Sequence, residues 1–155
     1  MELRNYQEQA ITDLSHSLGK GNKQVILQAA TGSGKTVMAS ALVQRAVEKG
    51  SSVLFLAHRR ELISQCSNKL NLFGIGHGII MAGEINEAWH QVQIASVDTL
   101  RARAISSKKM RLPNADIVII DECHRSLSKT YRTIIDSYSK SFILGLTATP
   151  CRGDG

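Results

Sequence analysis

The sequence predicts an α/β fold, a doubly wound and mostly parallel sheet flanked by helices, and three observations predict it. Short apolar runs recur at residues 25–27, 53–57, 79–81, 92–95, 117–120 and 142–146 without the alternation of a half-exposed strand. Such runs are expected of strands buried on both faces. Stretches with helical spacing lie between them. The third observation is the Gly-rich segment Thr31-Gly32-Ser33-Gly34-Lys35-Thr36, set between the first run and the first helical stretch. A loop that cradles phosphate belongs at that strand-to-helix junction.

The elements follow in order. After the run at 25–27 and its loop, Val37, Met38, Ala41, Leu42 and Val47 form one apolar stripe that stops at Gly50. The run at 53–57 leads to a second stripe, Leu62, Ile63, Cys66, Leu70 and Phe73, which stops at Gly74. Both stripes predict helices packed on a sheet and ended by a C-terminal glycine. The remaining runs alternate with shorter helical segments. Strands in this pattern are parallel, joined by crossovers, and their ligands bind beyond the carboxyl ends. That rule sorts residues by edge: 31–36, 58–60, 96–100, 121–124 and 147–150 each follow a strand and are expected on the functional edge. The basic run Lys108-Lys109-Met110-Arg111 precedes a strand, so it is expected on the opposite edge, as a solvated loop in preference to a nucleic-acid contact.

Two segments carry chemistry. In the first, Gly32 and Gly34 let consecutive backbone N–H groups converge on a phosphate oxygen at the positive end of a helix. Lys35 would reach the β- and γ-phosphates as a point charge, and the Thr36 hydroxyl would complete a Mg²⁺ shell of water and phosphate oxygens. Ala29 stands where the general motif opens with Gly, a change of one methyl group. In the second, the run at 117–120 delivers Asp121-Glu122-Cys123-His124. Asp121 would hold Mg²⁺ through water, and Glu122 would orient and deprotonate an attacking water. An acidic pair at a strand end is otherwise a helix cap or a solvated turn. The phosphate loop upstream favours hydrolysis.

Composition bounds the class. The 155 residues, 43% apolar and 21% charged, suffice for one domain with an adequate core and argue against disorder. No apolar run approaches the ~20 residues needed to span a bilayer, and the amino terminus lacks a signal-peptide core, so a cytoplasmic location without membrane association is expected. Cys66, Cys123 and Cys151 are odd in number and lack Cys-x-x-Cys spacing, which predicts reduced thiols rather than a disulfide framework or zinc site. A net charge of +6 and a pI near 9.5 suit a polyanionic partner.

The phosphate loop, the Asp-Glu-Cys-His segment and Leu146-Thr147-Ala148-Thr149-Pro150, in that order, resemble motifs I, II and III of superfamily 2 helicases and translocases, the DEAD/DEAH-box group. The restriction-enzyme-like and repair-type DNA helicases within it are the most similar branch. The resemblance covers nearly the whole chain and implies a RecA-like P-loop NTPase domain that uses ATP and Mg²⁺. Leu3-Arg4-Asn5-Tyr6-Gln7 resembles the group's adenine-recognition element. Gln7 would pair with one edge of adenine and, with Arg4, help select ATP; its alternative is an exposed polar residue at a helix start. Ala57-His58-Arg59-Arg60-Glu61-Leu62 and Ser96-Val97-Asp98-Thr99-Leu100 resemble motifs Ia and Ib. They imply contacts from Arg59, Arg60, Thr99 and Arg101 to the sugar-phosphate backbone of one strand, which suits a motor indifferent to sequence. The alternatives are solvated arginines and a helix-capping Thr99. Thr147 and Thr149 would hydrogen-bond toward Asp121 or His124 and so couple the nucleotide and nucleic-acid sites. His124, where strict DEAD-box RNA helicases carry Asp, favours DNA over RNA. Cys123 would only pack, and Arg152 has no assigned role.

The resemblance also implies a second RecA-like domain supplying arginine fingers, which can be worth ~10³–10⁵ in rate. Residues 1–155 are therefore expected to be the first motor domain of a longer protein, weakly active by itself. Two other readings compete. A GTPase or small-molecule kinase would share the phosphate loop, but the chain has no Asn-Lys-x-Asp guanine-reading segment. A non-catalytic regulatory module is disfavoured because Lys35, Asp121 and Glu122 are all in place.

Overall fold

A computed structural model of the chain describes residues 3–21, 23–28, 34–121 and 129–147. Six of the described segments are strands: β1 (Gln24–Gln28), β2 (Val53–Ala57), β3 (Gly78–Ile80), β4 (Val92–Ser96), β5 (Ile117–Asp121) and β6 (Phe142–Thr147). They form one sheet in the order β1-β6-β5-β2-β4-β3, and every neighbouring pair is parallel. The helices are α1 (Asn5–Gly19), α2 (Lys35–Glu48), α3 (Arg60–Leu72), α4 (Val97–Leu100), which runs straight into a π-helix at Arg101–Ser106, and α5 (Lys129–Asp136). α2 and α3 end just before Gly50 and Gly74, as their sequences require.

The sheet is covered on both faces, and the pleat decides which residue goes where. On β2, Val53, Phe55 and Ala57 face a core shared with Ile11 and Leu14 of α1, Met38 and Val43 of α2, and Ile63 and Leu70 of α3. Leu54 and Leu56 face the other way, toward Val97 and Leu100 of α4, Tyr131 and Ile134 of α5, and Tyr138. Ile119 on β5 joins the first core, and Val118 and Ile120 join the second. Two apolar layers on one strand explain the absence of alternation in the sequence.

β1 departs from that expectation. It is an edge strand with Gln24, Ile26 and Gln28 exposed, Ile26 at 55%, so the run at 25–27 is buried on one face only. A strand at the margin of a sheet can be covered less completely than a central one, and position in the sheet is not written in local sequence.

The amino-terminal ends of the strands are tied by polar contacts. The Ser52 amide donates to Asp116 Oδ2 at 2.9 Å, and Tyr138 Oη donates to the Pro113 carbonyl at 2.6 Å. Burial pushes the Tyr138 phenol above its ordinary range. Among the described residues, no helix is long and apolar enough to cross a membrane.

Candidate active site

The carboxyl ends of three adjacent strands define the site. Gln28, the last residue of β1, is level with Thr147 of β6, and Asp121 of β5 is level with Leu146. The chain that leaves β1 toward the phosphate loop and the carboxylate that ends β5 therefore emerge at one edge. With β6 between them, they are two inter-strand spacings apart, roughly 10 Å. Asp121 and Thr147 are both buried.

The loop rejoins the described chain at Gly34, which has φ 84° and ψ 39° and forms the N-cap of α2. No side chain caps this helix, and its first turn carries no acidic residue. Among the described residues, the leading N–H groups thus have no side-chain cap, and they carry the positive end of the helix dipole, as an anion site requires. Lys35 and Thr36, both half-buried, are the first residues of the helix. The Thr36 carbonyl accepts a bond from Ser40 Oγ at 2.8 Å.

Gln7 closes over this turn. It is 5% exposed, and its Oε1 accepts the Arg4 amide at 2.9 Å. Its Nε2 occupies the space that a Cβ on Gly34 would need. Gln7 is therefore not the exposed polar residue that a helix start would otherwise suggest. Ile11 and Leu14 bring α1 to this position by packing into the core shared with α2. The Arg45–Glu8 ion pair at 2.8 Å adds little, because both partners are half exposed. Arg4 itself is exposed.

The predicted nucleic-acid residues leave the neighbouring strands at the same edge, on the far side of β5 from the phosphate loop. Arg59 is the extended N-cap of α3, and Arg60 opens the helix; both are exposed. Arg60 Nη2 donates to the Ala82 carbonyl at 3.2 Å, which ties one terminal nitrogen of its guanidinium and leaves the group with further donors. At the end of β4, Ser96 rather than Thr99 is the cap, its Oγ accepting from the Thr99 amide at 3.5 Å. Thr99 and Arg101 are half-buried, and Arg101 is the first residue of the π-helix. The sequence carries no signal for that wider turn.

Cys66, on the buried side of α3, is a free thiol. Burial pushes it well above the ordinary thiol range, and the negative charge of Asp121 adds to the effect. A thiol held protonated is a packing residue, not a nucleophile. Ala29, Thr31, Gly32, Ser33, Glu122, Cys123, His124, Thr149 and Arg152 lie outside the described residues. Among the described residues, no group of three or more His, Cys, Asp or Glu side chains could hold a metal by itself.

The sequence matches the family described as type III restriction enzyme, res subunit, over residues 1–152. It is 34% identical over 159 residues to the type I restriction enzyme EcoAI endonuclease subunit of Escherichia coli, covering 95% of this chain and 19% of that protein. It is 30% identical over 156 residues to the DNA 3'-5' translocase XPB2 of Sulfurisphaera tokodaii, covering 100% of this chain and 32% of that one. The chain thus spans a third or less of the length of these curated relatives. The SWI2/SNF2 ATPase core of Sulfolobus solfataricus, solved in complex with dsDNA, superposes with a TM-score of 0.79 at 15% identity, over 99% of this chain and 33% of that one. A family match across nearly every residue settles membership, and the parallel sheet shares its fold with that ATPase core: the chain belongs to the type III restriction enzyme res-subunit family.

Proposed function

We propose that the protein is an ATP-dependent helicase or translocase acting on DNA, and that this domain holds ATP with Mg²⁺ and part of the strand-binding surface. The observation that carries the reading is the shared edge: the buried Asp121 carboxylate ends β5 two strand spacings from the end of β1, the strand that precedes the helix headed by Gly34. The α2 N–H groups and the loop amides bind the phosphates, and Lys35 supplies the positive charge. Gln7, lodged against Gly34, reads adenine beside Arg4.

The donor set fits magnesium. One hydroxyl, Thr36, and one carboxylate, Asp121, are hard oxygen ligands, and Mg²⁺ commonly takes few protein ligands besides water and substrate phosphates. Bound there, the ion would neutralise charge on the phosphates during hydrolysis. Glu122 orients the attacking water and takes its proton. His124, Thr147 and Thr149 relay the state of this site to the strand contacts. Arg59, Arg60, Thr99 and Arg101 grip the sugar-phosphate backbone, and a second RecA-like domain completes the catalytic site.

DNA rather than RNA is supported by two of the relatives, a type I restriction enzyme endonuclease subunit and a DNA translocase. The test is ATP hydrolysis by the complete protein with and without duplex DNA, single-stranded DNA and RNA. The reading expects stimulation by DNA above that by RNA, and far lower turnover by residues 1–155 alone. Robust DNA-stimulated turnover by residues 1–155 alone would overturn the need for a second domain. Hydrolysis indifferent to every nucleic acid would overturn the motor assignment.

A further inference from the structure

Residues 81–91 connect the carboxyl end of β3 to the amino end of β4, and Gln93 of β4 holds them in place. Gln93 is 3% exposed; its Oε1 accepts from Asn86 Nδ2 at 2.9 Å, and its Nε2 donates to the Glu87 and His90 carbonyls at 3.0 and 3.2 Å. Asn86 also donates to the Ile79 carbonyl at 3.3 Å. A connection built on a buried anchor nevertheless presents Trp89, the single tryptophan of the chain, at 77% exposure. The indole is braced rather than buried. Its ring centroid lies 5.5 Å from that of His90, whose Nε2 donates to Glu87 Oε2 at 2.9 Å. His90 in turn sits against Gly76, where a Cβ would come 3.0 Å from the imidazole Cε1.

Trp89 and His90 line an open cleft of about 460 Å³ together with Val47 and Glu48 from the end of α2 and Phe73 and Ile75 from the end of α3. Glu48 brings one carboxylate, Glu87 holds a second against His90, and no Lys or Arg is among the described residues that line the cleft, in a chain whose net charge is +6. The cations on the same stretch of α2, Arg45 and Lys49, line a separate depression with Ser15 and Phe142. A fixed aromatic face beside a carboxylate suits a guanidinium, which stacks on the indole and pairs with the acid at once. The apolar surface of Val47, Phe73 and Ile75 suits an adjoining apolar side chain. Tryptophan is among the residue types that most often anchor protein interfaces, and a loop already fixed loses little freedom on binding.

We propose that this cleft docks a segment of a partner protein in which arginine alternates with large apolar side chains, with a guanidinium over Trp89 and beside Glu48. The cleft lies where β4 begins, at the ends of the strands away from the nucleotide edge, so docking leaves that edge free.

The probe is the fluorescein-labelled peptide Gly-Leu-Arg-Leu-Arg-Leu-Gly, with versions carrying citrulline or glutamate in place of arginine, titrated with the complete protein and read by anisotropy. Wild type should bind the arginine peptide best, the citrulline peptide less well and the glutamate peptide least. Trp89→Ala should weaken binding of the arginine peptide about tenfold or more, and Trp89→Phe should recover part of the loss. Glu48→Gln should weaken it about two- to fivefold, the share of an exposed ion pair, and leave the citrulline peptide unaffected. Asp136→Asn, on α5 across the sheet, removes the same charge and should change nothing. Because Trp89 is exposed, Trp89→Ala should keep the wild-type melting temperature. Wild type that fails to bind the arginine peptide, or Trp89→Ala that binds it as tightly as wild type, would overturn the proposal. Equal losses from Glu48→Gln and Asp136→Asn would overturn it by reducing the effect to net charge. A lowered melting temperature in Trp89→Ala with peptide binding unchanged would overturn it in favour of a packing role.

Discussion

Gly34→Ala tests how the phosphate loop is held. Two costs follow from the structure. An L-residue at φ 84° and ψ 39° pays roughly 1–2 kcal/mol for the left-handed conformation. The new methyl group also meets Gln7 Nε2, and Gln7 is too buried to swing aside freely. Moving it breaks the 2.9 Å bond from the Arg4 amide to Gln7 Oε1, worth about 1 kcal/mol. The sum, about 2–3 kcal/mol, lowers the melting temperature by about 4–12 °C for a domain of this size. The assay is urea and thermal unfolding of wild type, Gly34→Ala, Gln7→Ala and the double variant. Because Gln7→Ala removes the collision, the double variant should lose about 1 kcal/mol less than the two single losses added together. Strict additivity, or a Gly34→Ala loss below about 0.5 kcal/mol, would refute the claim that Gln7 is packed against the loop.

Other outcomes follow from the core and its buried acids. Phe55, at 1% exposure in the centre of the sheet, should cost about 3–5 kcal/mol on truncation to Ala, read as a shift of the urea midpoint. The pH dependence has a definite sign. Cys66 and Tyr138 keep their protons in the folded state at pH values where the unfolded chain releases them, so alkaline pH favours unfolding. Stability should fall above pH 9.0, the ordinary thiol value, by up to about 1.4 kcal/mol per pH unit, and more steeply above 10.0, where tyrosine ionises. Cys66→Val should flatten the first part of that decline. A wild-type profile level through this range would contradict the burial of both groups.

Much of the sheet was legible because continuous apolar runs have few uses in a domain of this size. Runs such as 53–57 and 117–120 became β2 and β5 with one face on each core. The exposed face of β1 was not legible, since edge position is decided by which strands arrive beside it. Gln7 stands out in the sequence only through its resemblance to an adenine-recognition element, and its burial was not legible because it depends on α1 packing beside α2, a contact without local pattern. The Gly34-to-Thr36 turn and Asp121 stand at one edge as the strand-end rule requires. The π-helix left no trace, because Arg-Ala-Arg-Ala-Ile-Ser has ordinary helical residues and no periodicity of its own.

The central claim is that Lys35 and Asp121 serve one magnesium–triphosphate. The measurement is calorimetric binding of a non-hydrolysable ATP analogue to the complete protein, with and without Mg²⁺, for wild type, Lys35→Ala, Asp121→Asn and the double variant. The account predicts Mg²⁺-dependent binding in wild type, loss of affinity in Lys35→Ala, loss of Mg²⁺ dependence in Asp121→Asn, and a double variant little worse than Lys35→Ala. Wild-type affinity retained in Lys35→Ala, or fully additive losses from the two sites, would contradict it.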